Sequence, residues 1–205
     1  MLMESVPTGE GKPAMKVVAF NGSPRKDGNT TILLRCVLER LDGEGIGTEL
    51  IQLSEKRIED CRSCYRCFEN QDRECSNKED DLNECIAKMV EAEGILLGSP
   101  TYFANVAPRM KALIDRVGLV AFANPGMFRH KVGASLTAAN RLGACHTLDA
   151  MNRFFYCFEM FLAGSNYPNM ALGLEKGDVE KDEVGMETMR LLGVNMALLL
   201  KKLHS

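Results

Sequence analysis

The sequence predicts an α/β fold, a doubly wound, five-stranded parallel sheet with helices on both faces. Three observations predict it. Short apolar runs such as Val17–Phe20 and Gly94–Gly98 are too continuous to alternate, so they read as strands buried on both sides. Stretches of helical period separate these runs, which implies right-handed crossovers between parallel strands. The runs end in polar loops that would gather at one end of the sheet, where folds of this kind bind ligands.

Each element has its own signal. Lys16 to Phe20 forms the first strand, and Thr30 to Leu41 carries Ile32, Leu33, Val37, Leu38 and Leu41 at helical spacing until Asp42-Gly43 ends it. Thr48 to Leu53 alternates as a second strand. Asp80 to Ala92 reads as a helix burying Leu82, Ile86, Met89 and Val90, and Gly94 to Gly98 as the third strand, closed by Ser99-Pro100. Pro108 suits the first turn of a helix running to about Leu119, with Met110, Leu113, Ile114 and Val117 inward. A fourth strand over Lys131–Thr137, a long helix from about Ala144 to Leu162, a short strand near Met170 and a helix over Glu183–Leu203 complete the chain. The Met- and Phe-rich stretch Met151–Phe161 fits a core face or a dimer face equally well.

Two regions stand outside this pattern. Residues 1–14 carry Glu, Pro and Gly and read as a mobile extension, with the folded domain spanning 15–205. Residues 56–79 are dense in charge and poor in periodicity, too long for an ordinary connection, and read as an inserted functional loop.

Composition narrows the function. A chain of 205 residues suits one domain, and a net charge of −3 with no Lys/Arg cluster gives no electrostatic reason to expect nucleic acid. No apolar run approaches the ~20 residues of a membrane span, so a cytoplasmic protein is expected. The eight cysteines then point to a metal site or redox chemistry rather than a disulfide framework. Cys61, Cys64, Cys67, Cys75 and Cys85 crowd together, while Cys36, Cys145 and Cys157 fall in helical patterns and read as small buried residues.

Three loops carry the chemistry. In Asn21–Thr31 a strand, a polar loop and a helix N-terminus follow one another, an arrangement whose backbone N–H groups can cradle a phosphate. Ser23, Asn29 and Thr30 add donors and Arg25 a charged fork. Neither a P-loop nor a Gly-x-Gly-x-x-Gly fingerprint is present, and a plain helix-capping loop is the alternative. In Ser99–Ala107, Tyr102 and Phe103 can stack on a flat ring while Thr101 and Asn105 reach its edges; simple cover for the sheet end is the alternative. The third loop is Ala138–Gly143. A phosphate loop and a ring loop at one sheet end describe a mononucleotide.

On these residues the sequence resembles the flavodoxin-like NAD(P)H-dependent FMN reductases. The matching pieces are Asn21-Gly22-Ser23-Pro24-Arg25 with Gly28-Asn29-Thr30, then Gly98 to Asn105, then Met110 to Arg116. The resemblance implies strand order 2-1-3-4-5 and an FMN phosphate held by Ser23, Arg25, Asn29 and Thr30. It implies a flavin ring held by Pro100, Thr101, Tyr102, Phe103 and Asn105, with Thr137, Ala138 and Asn140 along its pyrimidine side. It also implies a homodimer or a dimer of dimers.

Within that family, Cys61-x2-Cys64-x2-Cys67-x7-Cys75 resembles the compact motif of the iron–sulfur flavoproteins. Three ligands at this spacing can wrap one face of a 4Fe–4S cubane and a fourth can complete it. Zinc more often takes two separated pairs, yet a zinc site, free thiols or a site that has lost its metal stay open. Arg57, Arg62, Arg66 and Arg73 surround the motif and could offset cluster charge. Cys67-x5-Arg73 matches a phosphatase signature only numerically, since Glu74 follows the arginine. Cys85 sits outside the set.

The expected activity is FMN-dependent oxidoreduction: hydride from NAD(P)H, then electrons to a quinone, a flavin or a redox protein, via or beside the cluster. No catalytic side chain is required, and His130, His146 and His204 have no companion nucleophile or carboxylate. The alternatives are an electron carrier without NAD(P)H turnover and a zinc-bound flavin-binding regulator.

Overall fold

A computed structural model describes residues 15–204; the expected extension at 1–14 lies outside them. The elements are β1 (Lys16–Asn21), α1 (Asn29–Gly43), β2 (Gly47–Gln52), α2 (Arg66–Asn70), α3 (Leu82–Glu91), β3 (Gly94–Pro100), α4 (Pro108–Ala123), β4 (Val132–Ala139), α5 (Ala144–Cys157), β5 (Phe161–Leu162), β6 (Met170–Leu172) and α6 (Glu183–His204). Neighbouring strands are parallel in the order β2-β1-β3-β4-β5, with β6 also on β4.

The pleat divides the core. Val17 and Ala19 of β1 face one side, with Leu33, Leu34 and Val37 of α1 and Leu192, Met196 and Leu200 of α6. Val18 and Phe20 face the other, with Ile86 and Met89 of α3, Leu113 and Val117 of α4, and Met151, Phe154 and Phe155 of α5. Alternation within fully buried strands therefore sorts helices onto two faces. The Met151–Phe161 stretch resolves as core for Met151, Phe154 and Phe155, whose neighbours include Phe128 and Phe158, while Tyr156 is exposed.

The fifth strand position is shared by two short strands. β5 pairs with the start of β4 (Val132↔Phe161) and β6 with its end (Thr137↔Met170). Across the break, the Asn169 side-chain amide donates to the Ser135 carbonyl (3.0 Å), satisfying an acceptor that an uninterrupted strand would have taken. The helix expected to reach Leu162 stops at Cys157, because Glu159 adopts φ 56 and the Phe161 N–H turns to the Lys131 carbonyl (3.0 Å).

Cys145 and Cys157 are exposed and Cys36 half-buried, so the sequence reading of these three as buried residues is corrected. No helix among the described residues is long and apolar enough to cross a membrane.

Candidate functional sites at the sheet end and in the cysteine loop

The β1–α1 turn is fixed from below by side chains. Fully buried Asn21 donates to Thr31 Oγ1 (2.8 Å) and Gln52 Oε1 (2.7 Å) and accepts from the Ser23 N–H (2.9 Å). Gln52 donates to the Ser23 carbonyl (2.6 Å), and Ser23 Oγ accepts from the Arg25 N–H (3.1 Å). Gly22 lies so close to α4 that a Cβ would come within 2.8 Å of Met110 Cβ. These bonds hold the turn while leaving α1 without a side-chain cap at Gly28. The Asn29 and Thr30 N–H groups have no protein acceptor among the described residues. Unpaired donors at the positive end of a 15-residue helix make an anion site.

A cleft of about 160 Å³ opens there. Ser23, Arg25, Asn29 and Thr30 line it, with Pro100, Thr101 and Tyr102 from the loop after β3 and Ala138 and Asn140 from the end of β4. Three residues expected at the ligand are not among those lining this cleft. Thr137 is fully buried and its hydroxyl bonds the Ser99 carbonyl (2.7 Å) and Thr101 Oγ1 (3.0 Å). Asn105 accepts from the Val106 N–H (2.8 Å), and Phe103 projects fully into solvent. Both belong to a tight hairpin in which Tyr102 and Asn105 pair, with Phe103 and Ala104 at φ 47 and 57. Gly143, at φ 92, seats the third loop against it: a Cβ there would meet Ala104 Cα at 2.7 Å.

The fourth wall, Gly173 and Leu174, carries no sequence signal of its own. Its anchor is Asn29, whose amide donates to the Glu175 carbonyl (2.9 Å) and accepts from the Gly177 N–H (2.8 Å). The Asn29 side chain thus clasps the loop after β6, while its main-chain N–H faces the cleft.

The segment 56–79 folds against α4 and encloses a second cavity of about 480 Å³. Cys61, Cys64, Cys67 and Cys75 all line it, with Arg62 and Arg66 from the segment and Arg116, Leu119 and Val120 from α4. Cys85 is not in its wall; it is fully buried in α3, and burial pushes its thiol up to about 12. The backbone here is unusual. Ser63, Tyr65, Gln71 and Arg73 have positive φ, and of the other four such non-glycine residues two are Phe103 and Ala104. Left-handed backbone without glycine therefore gathers at the two candidate sites, as it does where function constrains a chain.

The cysteines differ in surroundings. The Ser76 hydroxyl (3.4 Å), and next the Arg66 N–H, pull the Cys64 thiol below its usual range. Burial pushes the Cys67 thiol up. Cys75 is held hardest: Asn83 bonds both its N–H (2.7 Å) and its carbonyl (2.9 Å), and Arg116 Nη2 lies 3.2 Å from its sulfur. Arg116 is buried and forked onto buried Asp80, and also donates to the Glu59 carbonyl (3.1 Å). Of the arginines expected to offset cluster charge, only Arg62 and Arg66 line the cavity, and Arg57 and Arg62 both pair with Glu59 (2.6 Å each). The cation in contact with a cysteine is Arg116, whose place on the α4 stripe one residue before buried Val117 was the available signal. Among the described residues, no three His, Cys, Asp or Glu side chains converge on a point where one metal ion could sit.

One helix joins the sites. α4 starts at Pro108, just after the ring loop, and reaches Arg116 eight residues later, about 12 Å along its axis.

A family model for NADPH-dependent FMN reductase matches residues 15–174. The chain is 37% identical to an iron–sulfur flavoprotein of Methanocaldococcus jannaschii, over 91% of this chain and 98% of that one. It is 32% identical to an iron–sulfur flavoprotein of Archaeoglobus fulgidus, over 87% of this chain and 92% of the relative. Among solved structures, a flavodoxin-type WrbA-like protein of Agrobacterium tumefaciens superimposes with TM-score 0.63 at 17% identity, over 92% of this chain and 98% of that one.

Proposed function

The chain belongs to the NADPH-dependent FMN reductase family, in its iron–sulfur flavoprotein branch, and from that premise we propose an FMN oxidoreductase that takes hydride from NAD(P)H and carries a 4Fe–4S cluster beside its flavin. The observation that carries the flavin reading is the uncapped start of α1, where the Asn29 and Thr30 N–H groups face a cleft also lined by Ser23 and Arg25. Those groups bind the phosphate. Thr101, Tyr102, Ala138 and Asn140 border the ring, and the Thr101 N–H bond to the Ala138 carbonyl (2.9 Å) keeps the two ring loops in register. FMN, when bound, supplies a carrier that accepts two electrons as hydride and can release them singly.

The cysteine cavity offers four thiols to a cluster. Cys61, Cys64, Cys67 and Cys75 line the same cavity of about 480 Å³, and a cubane takes one thiolate at each of four corners. A tetrahedral zinc would need all four at one centre. Cys61, Cys64, Cys67 and Cys75 would hold the cluster, which supplies one-electron exchange. Acceptors of either kind, a quinone, a flavin or a redox protein, suit such a pair. The names of the two relatives, matched over 98% and 92% of their lengths, support the same assignment.

Titrating flavin-free protein with FMN and with riboflavin tests the flavin site. A phosphate held at the start of α1 predicts FMN binding at least tenfold tighter than riboflavin; equal affinities would overturn it. Steady NAD(P)H consumption with an artificial acceptor is expected of the reductase, and its absence in FMN-loaded protein would favour the electron-carrier reading.

A further inference from the structure

We propose that Arg116 is a positioning residue that sets the potential of the iron–sulfur cluster by hydrogen-bonding the sulfur of Cys75, and that Asp80 exists to aim it. The proposal rests on the cluster reading above.

The geometry is specific to one cysteine. Arg116 Nη2 lies 3.2 Å from Cys75 Sγ, and among the described residues no other cysteine sulfur of the set has a guanidinium hydrogen-bond partner. A free guanidinium could swing to any of them. This one cannot, because the Asp80 carboxylate grips both Nη atoms and the Glu59 carbonyl takes a further N–H from Nη1 (3.1 Å). Asp80 is in turn fixed by the Glu59 N–H (3.0 Å). Asn83 clamps the main chain of Cys75 on both sides, so sulfur and donor meet with little freedom in either. The second Nη2 N–H is thereby aimed at the Cys75 sulfur.

Charge shows what the arrangement is for. Arg116 and Asp80 are both buried, their side chains 2% and 0% exposed, and their charges cancel. A buried ion pair of this kind contributes little to stability over an apolar pair of the same shape, so stability alone does not explain it. What it adds is a directed N–H donor at a ligand sulfur. Hydrogen bonds to ligand sulfurs favour the reduced, more negative state of a cluster and so raise its reduction potential. The bond strengthens when an electron arrives and weakens when it leaves. α4, which carries this donor, begins at Pro108, directly after the ring loop.

Anaerobically isolated wild type, Arg116→Lys and the double variant Asp80→Asn/Arg116→Met are titrated electrochemically, with the cluster followed by electron paramagnetic resonance and iron and FMN assayed. The double variant removes a net-neutral pair, so it reports the hydrogen bond rather than lost charge, and leaves no buried ion unpaired. The expected result is a cluster potential lowered by at least about 59 mV, a tenfold change for a one-electron couple, with the flavin potential unmoved. Arg116→Lys, which has a single donor centre in place of the fork, is expected to fall between the two. Variant potentials equal to wild type, with iron retained, would overturn the role of Arg116 alone. Wild type that holds FMN but neither iron nor sulfide would overturn the cluster reading itself.

Discussion

At the β1–α1 turn the donors are main-chain N–H groups at the start of a helix, held by short connections to a buried strand. In the 56–79 segment the anchors are side chains: Asp80, Asn83 and Arg116, two of them on α3 and its threshold and one on α4. The first region inherits its shape from the sheet. The second is held from α3 and α4, by the buried Arg116–Asp80 pair and the Asn83 clamp together with Asp81 on Arg57 and Asn124 on Arg73. In both regions side chains fix the backbone, but in the second the central contact is a buried charge pair, whose loss leaves an ion without a partner.

The largest effect should therefore come from breaking the ion pair. Asp80→Ala strands the Arg116 guanidinium in the core, and stability measured by denaturant titration is expected to fall by about 3–5 kcal/mol. The neutral Asp80→Asn/Arg116→Met pair should lose much less. The pH dependence follows the same contact. Burial would raise the Asp80 carboxyl, but the Arg116 fork and the Glu59 N–H outweigh it and hold it below the ordinary 3.8. A depressed carboxylate contributes stability that is full above the unfolded value and lost as pH falls through the folded one. Wild type should thus lose stability below about pH 4 more steeply than the neutral double variant, and parallel curves would contradict the role given to Asp80.

A smaller effect tests the sheet-built region through its backbone. Gly143→Ala puts a Cβ against Ala104 at a φ of 92, with an expected cost of about 1–3 kcal/mol. FMN affinity should fall with it, because the hairpin carrying Tyr102 must shift. Smaller again, Asn29→Ala removes two hydrogen bonds to the loop after β6, worth roughly 1 kcal/mol each. Its mark would be faster hydrogen exchange or proteolysis at residues 173–177 together with weaker FMN binding. Loss of affinity with that loop unchanged would mean the amide acts on the ligand directly. The smallest effect belongs to Arg25→Ala. Its guanidinium is exposed, and a loss of about 0.5–1 kcal/mol in FMN binding, shrinking with salt, is expected by isothermal titration.

How much of this was legible in the sequence follows the same divide. Strands, helices and the β1–α1 cradle are written locally, in apolar period and in the break at Asn21–Thr30, and the sheet order agrees with the resemblance. The split of the last strand was not, because Phe161–Leu162 continues the helical pattern of α5 until Glu159 turns the chain. At the cleft, Thr137 and Asn105 looked like ligand donors because a hydroxyl or amide at a strand end has no visible partner in one dimension. Folding supplies those partners, the Ser99 carbonyl of β3 for Thr137 and the adjacent Val106 N–H for Asn105. The four cysteines announced their cavity by spacing. Arg116 did not announce its contact with Cys75, since the two lie 41 residues apart and meet only through tertiary packing.

Anaerobic isolation followed by an absorption spectrum and assays for FMN, iron and acid-labile sulfide tests the pairing of the two sites most directly. Bound FMN together with iron and sulfide in the same protein is the predicted result. Colourless protein that takes up no added flavin, or flavoprotein carrying zinc in place of iron and sulfide, would contradict it.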